Sequence, residues 1–187
     1  MAPGPVPARV DVPPDPRDLS GPFRFRRPIE VRFADTDAMG HVNNAVYLTY
    51  CEAARAAYYE VVTGRSMLSG LTMQEAGHGP EGHLAEEAAG DWRFILAEAR
   101  VTYRSPAFFG ETLTVETRAV EIGRASFRLE QRITAPASPL GPARLVAVAD
   151  SVLVGYDYER GEVRSLPPEL VRSLEAFEGR PLRPSPG

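Results

Sequence analysis

From Pro28 the apolar positions alternate, with Ile29, Val31 and Phe33 on one parity and Glu30, Arg32 and Ala34 on the other. That period of two predicts a half-buried strand, ending at Asp35-Thr36-Asp37. After Gly40 the period changes: Tyr47, Tyr50, Cys51, Ala54, Tyr58, Val61 and Val62 fall on one helical stripe. The spacing predicts a long helix from about Asn44 to Val62. Ala45, Ala53, Ala54, Ala56 and Ala57 favour helix and are small enough to let another element approach closely.

Gly64 to Gly90 is glycine-rich and weakly periodic, so it reads as a long connection with a helical turn around Leu84 to Ala89. Four strands follow. Ala97, Ala99, Val101 and Tyr103 alternate with charged and hydroxyl residues, as do Leu113 and Val115, and then Ala125, Phe127 and Leu129. Each of these three predicts one wet face. Turns at Phe109-Gly110-Glu111, Ile122-Gly123-Arg124 and Pro139-Leu140-Gly141-Pro142 are spaced to join sequential antiparallel strands as a meander. Leu145 to Val154 is apolar on both parities and predicts a strand covered on both faces. Pro167-Pro168 opens a short final helix through Phe177.

A strand, a long helix, a long connection, four antiparallel strands and a short helix have one compact solution. A strongly bent antiparallel sheet wraps the alanine-rich helix and buries its stripe. This is the α+β hotdog fold, and its free sheet edges invite a second subunit. Composition agrees with a folded enzyme or binding module: of 187 residues, 43% are hydrophobic and 25% charged. Seven prolines within residues 1–22 mark a disordered tail, so the domain is expected over 23–179, with 180–187 as a second tail. A net charge of -4 argues against nucleic acid as a partner. One cysteine, no membrane-length apolar run and no signal-like start point to a cytoplasmic protein without membrane attachment.

The chemistry concentrates where the first strand hands over to the helix. A carboxylate there lies beside unpaired backbone N–H groups and the positive end of the helix dipole. Thioester hydrolysis needs that pairing, a carboxylate to attack or to activate water and an N–H to stabilise the oxyanion. If Asn43 caps the helix, its side chain serves the N–H of Ala45 or Val46 and leaves the Asn44 N–H free for a carbonyl oxygen. The stretch from Val31 to Leu48, with its Asp35-Thr36-Asp37 turn, Gly40, His41-Val42-Asn43-Asn44 cap and Tyr47-Leu48 helix start, resembles the signature of the 4-hydroxybenzoyl-CoA thioesterase family of hotdog enzymes. Tyr103-Arg104-Ser105-Pro106 with Gly110, and Gly123-Arg124-Ala125-Ser126, extend the resemblance over roughly residues 28–178.

The resemblance implies that Asp37 is the base or nucleophile and that the Asn44 N–H polarises the carbonyl. It also implies a homodimer or homotetramer with active sites near the interface. His41 is a candidate to orient Asp37, and Asn43, Tyr47, Arg124 and Ser126 are candidate substrate-binding residues, the arginine for CoA phosphates. Asp35 reads as structural. Glu52 is the competing carboxylate, because some hotdog thioesterases carry theirs on the helix, although Arg55 three residues on suggests a surface ion pair. Cys51 falls on the buried stripe and reads as core. His78 and His83 with Glu81, Glu86 and Glu87 match no zinc spacing, so no metal or other cofactor is expected.

The leading function is hydrolysis of an acyl-CoA to free acid and CoA. Plant thioesterases acting on acyl carrier protein share the Asp and His-Val-Asn-Asn elements and give an alternative substrate. Hotdog hydratases and dehydratases place asparagine and proline between their aspartate and histidine, which Asp37 to His41 lacks. A non-catalytic acyl-CoA binder is the remaining class, since fold alone does not guarantee activity.

Overall fold

The computed structural model describes residues 21–64 and 93–183. The proline-rich start, the turn expected at Leu84 to Ala89 and the His78/His83 cluster lie outside the described residues. In chain order the elements are β1 (Phe25–Glu30), α1 (Val46–Thr63), β2 (Phe94–Tyr103), β3 (Thr112–Ile122), β4 (Ser126–Ala135), β5 (Arg144–Asp157), β6 (Glu162–Val163) and α2 (Pro168–Glu178). The strands form one six-stranded antiparallel sheet in the order β1-β3-β4-β5-β2, with the short β6 paired to the end of β5. This is the expected hotdog arrangement, with α1 lying against the concave face.

The core follows from the two periodicities. Leu113 and Val115 of β3, Leu129 and Ile133 of β4 and Ala147 of β5 point at the helix, which returns Tyr47, Tyr50, Cys51, Ala54 and Tyr58. Ala54 is fully enclosed. The α1 helix ends at Gly64, whose φ of +67° is the left-handed cap that glycine tolerates best. Helix α2 closes the far end of α1: the Tyr58 ring stands edge-on between Phe25 and Phe177, and its hydroxyl donates to the buried Glu178 at 2.6 Å. None of the described helices is long and apolar enough to cross a membrane.

Several expectations need correction. The first strand stops at Glu30, and Phe33–Asp35 form a 3-10 turn, which turns Phe33 outward to 77% exposure. Apolar alternation continued past the point where the backbone turns, so the pattern alone extended the strand. Val61 is likewise exposed, because α2 and the sheet cover only one side of the last helical turn. The turn at Gly110 does not join neighbours, since β2 crosses to pair with β5 at the opposite edge from β1. As an edge, β2 leaves Leu96 to Arg100 exposed on both parities instead of one. Leu182, within the expected tail, is buried, and the Ile122 N–H donates to its carbonyl at 3.0 Å. A single leucine between prolines and arginines carries no periodicity to announce it. Strand β5 does bury both parities from Val146 to Ser151, as its sequence predicts.

Candidate active site

Between β1 and α1 the chain folds back on itself. Thr36 and Val42 form an antiparallel bridge, the Asp37 N–H donates to the His41 carbonyl at 3.0 Å, and Gly40 N–H donates to the Asp37 carbonyl at 3.0 Å. Gly40 sits at φ +81°, the conformation that makes this reversal possible without strain. Asp37 Oδ1 accepts the Met39 N–H at 2.8 Å. Its other carboxylate oxygen has no hydrogen-bond partner among the described residues. His41 Nδ1 lies 3.9 Å from Asp37 Oδ1, too far for a hydrogen bond but near enough to interact electrostatically.

The helix starts at Val46, two residues later than expected, and Ala45 rather than Asn43 takes the N-cap position, although the Asn43 side chain still serves the Ala45 N–H. Asn43 Oδ1 accepts the Ala45 N–H at 2.9 Å, and the Asn43 carbonyl accepts the Val46 N–H at 3.0 Å. The Asn44 N–H donates to none of the described residues, while its carbonyl accepts the Tyr103 hydroxyl at 2.9 Å. A free donor is thereby held at the positive end of an 18-residue helix.

A buried frame supports this junction. Asp35 is 2% exposed and accepts from the Arg32 guanidinium at 2.7 Å, the Arg32 backbone N–H at 2.9 Å and the Tyr50 hydroxyl at 2.8 Å. The Arg32 hydrogen bonds hold its carboxyl below the usual range, despite the opposing effect of burial. The Asp35 carbonyl also accepts the Asn43 N–H at 2.9 Å, which locks the two sides of the loop together. Beneath, Glu111 pairs with Arg144 at 2.7 Å and accepts the Phe108 N–H at 2.9 Å, while the Ala107 carbonyl accepts the Val42 N–H at 2.8 Å. Tyr47 packs inside this frame, its ring 5.3 Å from that of Tyr103, and burial pushes its phenol up to about 12. Tyr47 is therefore a core residue behind the loop and not part of its surface.

Asp37, His41, Asn43 and Asn44 thus meet in one junction, with Tyr47 buried behind it, and the remaining two candidates lie elsewhere. Arg124 and Ser126 lie at the β3–β4 turn, where Arg124 donates to the Ser165 hydroxyl at 3.1 Å and lines an open groove with Ser165 and Arg183. The Asp37 loop contacts the other end of β3, through Val31 N–H to the Glu111 carbonyl at 2.9 Å. With a rise of about 3.3 Å per residue, the two ends of β3 are roughly 30 Å apart. Glu52 and Arg55 are not hydrogen-bonded to each other; both line a cleft between α1 and β2. Cys51 lines the same cleft, and burial pushes its thiol up to about 12, so it is a poor nucleophile at neutral pH. Among the described residues no cluster of histidine, cysteine, aspartate or glutamate could hold a metal ion.

Sequence reading did not single out Tyr103, Tyr50, Arg32, Glu111 or Arg144 as parts of the site. Only Tyr103 carried a signal, through its place in the Tyr103-Arg104-Ser105-Pro106 stretch.

Known proteins share both this sequence pattern and this fold. A family model described as "Thioesterase-like superfamily" matches residues 31–174. A 1,4-dihydroxy-2-naphthoyl-CoA hydrolase from Synechococcus elongatus is 28% identical over 124 residues, which is 66% of this chain and 78% of that relative. Among solved structures, a thioesterase from Thermus thermophilus complexed with coenzyme A and Zn is 32% identical, with a TM-score of 0.64 over 86% of this chain and 98% of that one. A 1,4-dihydroxy-2-naphthoyl-CoA thioesterase from Synechocystis shares the fold at 21% identity, with a TM-score of 0.62 over 80% of this chain and 94% of that one. Because the family match spans residues 31–174, well over half of the chain, from the Asp37 loop into α2, the chain belongs to the Thioesterase-like superfamily.

Proposed function

We propose that this protein hydrolyses an acyl-CoA thioester to the free acid and CoA, in the manner of the 4-hydroxybenzoyl-CoA thioesterase family. One observation carries the reading: a carboxylate oxygen of Asp37 and the N–H of Asn44, both without partners among the described residues, in one short loop-to-helix junction. The Asn44 N–H donates to the thioester carbonyl oxygen and stabilises the negative charge that develops there. Asp37 then supplies the nucleophilic power in one of two ways. As nucleophile it adds to the carbonyl carbon, expels CoA as thiolate and leaves an acyl–aspartyl anhydride that water cleaves. As base it takes a proton from water while the hydroxide adds, and the tetrahedral adduct collapses with loss of the same thiolate. His41, with Nδ1 3.9 Å from Asp37 Oδ1, stands beside the carboxylate as a candidate to orient it.

The separation of Arg124 and Ser126 from Asp37 fits a site shared between two chains. Among the described strands β2 is an edge that pairs with β5 alone, and joining it to β2 of a second copy about a two-fold axis inverts the partner. The partner's β3–β4 turn then lies on the same side as the Asp37 loop, where its arginine can grip the CoA phosphates.

A panel of acyl-CoA thioesters of varied length and aromaticity, followed by thiol release, tests the reading, with matched acyl carrier protein thioesters run in parallel. Turnover of at least one CoA ester is expected, with the carrier-protein esters slower. Turnover confined to the carrier-protein esters would reassign the substrate, and no thiol release from either set would reject the activity.

A further inference from the structure

The cleft between α1 and β2 holds two polar atoms that none of the described residues satisfies. Its walls are Leu48 and Cys51 from α1 and Leu96, Ala99 and Val101 from β2. Leu96 and Ala99 are three residues apart and would face opposite sides of a regular strand. A bulge between Leu96 and Glu98 puts both on the cleft side. The floor is made by Gln131 of β4 and Ser151 of β5, 1% and 3% exposed, whose Oε1 and Oγ atoms are buried without a hydrogen-bond partner among the described residues.

The orientation of the Gln131 amide is determined by its surroundings. Its Nε2 donates to the Cys51 carbonyl at 3.0 Å, and a carbonyl can only accept, so the oxygen is the end turned to the cleft. Nε2 also lies 3.1 Å from the Thr117 hydroxyl. Gln131 Oε1 therefore wants a donor, and Ser151 Oγ can donate or accept. Leaving both empty is costly in a buried site. The cleft measures about 90 Å³, whereas one water needs only about 10–15 Å³ by that measure, so it has room for more than a single solvent molecule.

We infer that this cleft is the acyl subsite of the thioesterase proposed above, and that it selects acyl groups bearing a hydroxyl. The inference rests on that reading for the position of the carbonyl. From Asn44 to Cys51 the chain advances about 10 Å along the helix axis. An acyl group held by its carbonyl at the Asn44 N–H and running down α1 brings its far end to the depth of the Gln131 amide. With one hydrogen bond lengthening the span at Asn44 and another shortening it at Gln131, the selected oxygen lies about 8–10 Å from the carbonyl along the axis. A hydroxyl there donates to Gln131 Oε1 and accepts from Ser151 Oγ–H, satisfying both. A methyl leaves both unpaired, and a carboxylate sets its charge against the amide oxygen.

The test is a ratio. kcat/KM is measured for two matched pairs, 4-hydroxycinnamoyl-CoA against 4-methylcinnamoyl-CoA and ω-hydroxyoctanoyl-CoA against nonanoyl-CoA, with wild type, Ser151→Ala and Gln131→Met. Taking the ratio within one preparation cancels any loss of folded enzyme, and Ser151→Ala removes no hydrogen bond seen among the described residues. Wild type is expected to favour the hydroxyl member of at least one pair by about tenfold or more, and the pair concerned tells whether the hydroxyl belongs on a ring or a chain. The preference should fall at least about fivefold in the variants. A wild-type ratio near one in both pairs would mean that the floor holds solvent only, and a preference unchanged by both substitutions would put selection elsewhere; either overturns the inference. If no ester turns over, the hydrolase reading fails. Calorimetric binding of the same intact esters then supplies the ratios, and a ratio near one, or one unchanged by both substitutions, overturns the cleft's role in the same way.

Discussion

At the scale of single residues, the site depends on which polar atoms are left free and which are held. Among the described residues Asp37 spends one carboxylate oxygen on the Met39 N–H and keeps the other free, and the Asn43 side chain serves the Ala45 N–H, leaving that of Asn44 free. Tyr103 fixes this arrangement from across the fold through the Asn44 carbonyl. Tyr103→Phe should therefore lower kcat by roughly five- to thirtyfold with a smaller change in KM, as read by steady-state kinetics. An unchanged kcat would mean that the helix start holds its position without the hydroxyl. Asp35 has the opposite part, a carboxylate with every oxygen engaged. Its folded pKa is depressed, so its contribution to stability is present above the unfolded value of about 3.9 and is lost as pH falls through the folded value. Denaturant unfolding at a series of pH values should show wild type more stable than Asp35→Asn above about pH 5, with the gap closing in more acidic solution. A gap independent of pH would contradict the ion-pair account. The gathering of Asp37, His41 and Asn44 at one junction was legible because they lie within one contiguous stretch of sequence. Arg32, Tyr50, Glu111 and Arg144 were not, because their partners are set by the folded backbone. Gln131 offered a faint signal, a polar residue on the buried parity of Phe127, Leu129 and Ile133.

At the scale of elements, periodicity was a reliable guide wherever one face of an element meets the core. Helix α1 and strand β4 have that character, and β5 was announced by its apolar run on both parities, whereas β3 buries Glu116 and Arg118 on the face its alternation had predicted to be wet. Periodicity failed where backbone geometry changes under an unchanged pattern, as at Phe33, and where the partner strand is distant, as for β2. The β2–β3 connection looked like a hairpin because Gly110 suggests a turn, yet Arg104 to Glu111 is long enough to cross from one edge to the strand beside the other. The contact of α1, α2 and β3 was also beyond sequence reading, since it depends on Glu178 accepting both the Tyr58 hydroxyl at 2.6 Å and the Ala119 N–H at 2.9 Å. Tyr58→Phe leaves that buried carboxylate one donor short and should destabilise the protein by about 1–3 kcal/mol, measured by denaturant unfolding. A loss well below that range would show that water replaces the hydroxyl at no cost.

At the scale of the whole molecule, one chain carries the Asp37 junction and the Arg124 turn at opposite ends of β3, so a complete site of the proposed kind needs two chains. Co-expression of Asp37→Asn with Arg124→Ala separates this from a site within one chain. In mixed dimers one of the two sites then combines an intact Asp37 with an intact partner arginine, so subsaturating activity should recover to about a quarter of wild type when chains mix at random. Recovery no greater than the mean of the two parent variants would place both residues in the same chain's site. The most direct test of the central claim is the pair Asp37→Asn and Glu52→Gln, assayed by thiol release against the best CoA ester. The amide at position 37 keeps the shape of the loop but cannot act as base or nucleophile, so kcat should drop by more than about a hundredfold with the fold intact, while Glu52→Gln keeps most of its turnover. Near-native turnover by Asp37→Asn together with an inactive Glu52→Gln would move the catalytic carboxylate from the loop to the helix and contradict the mechanism.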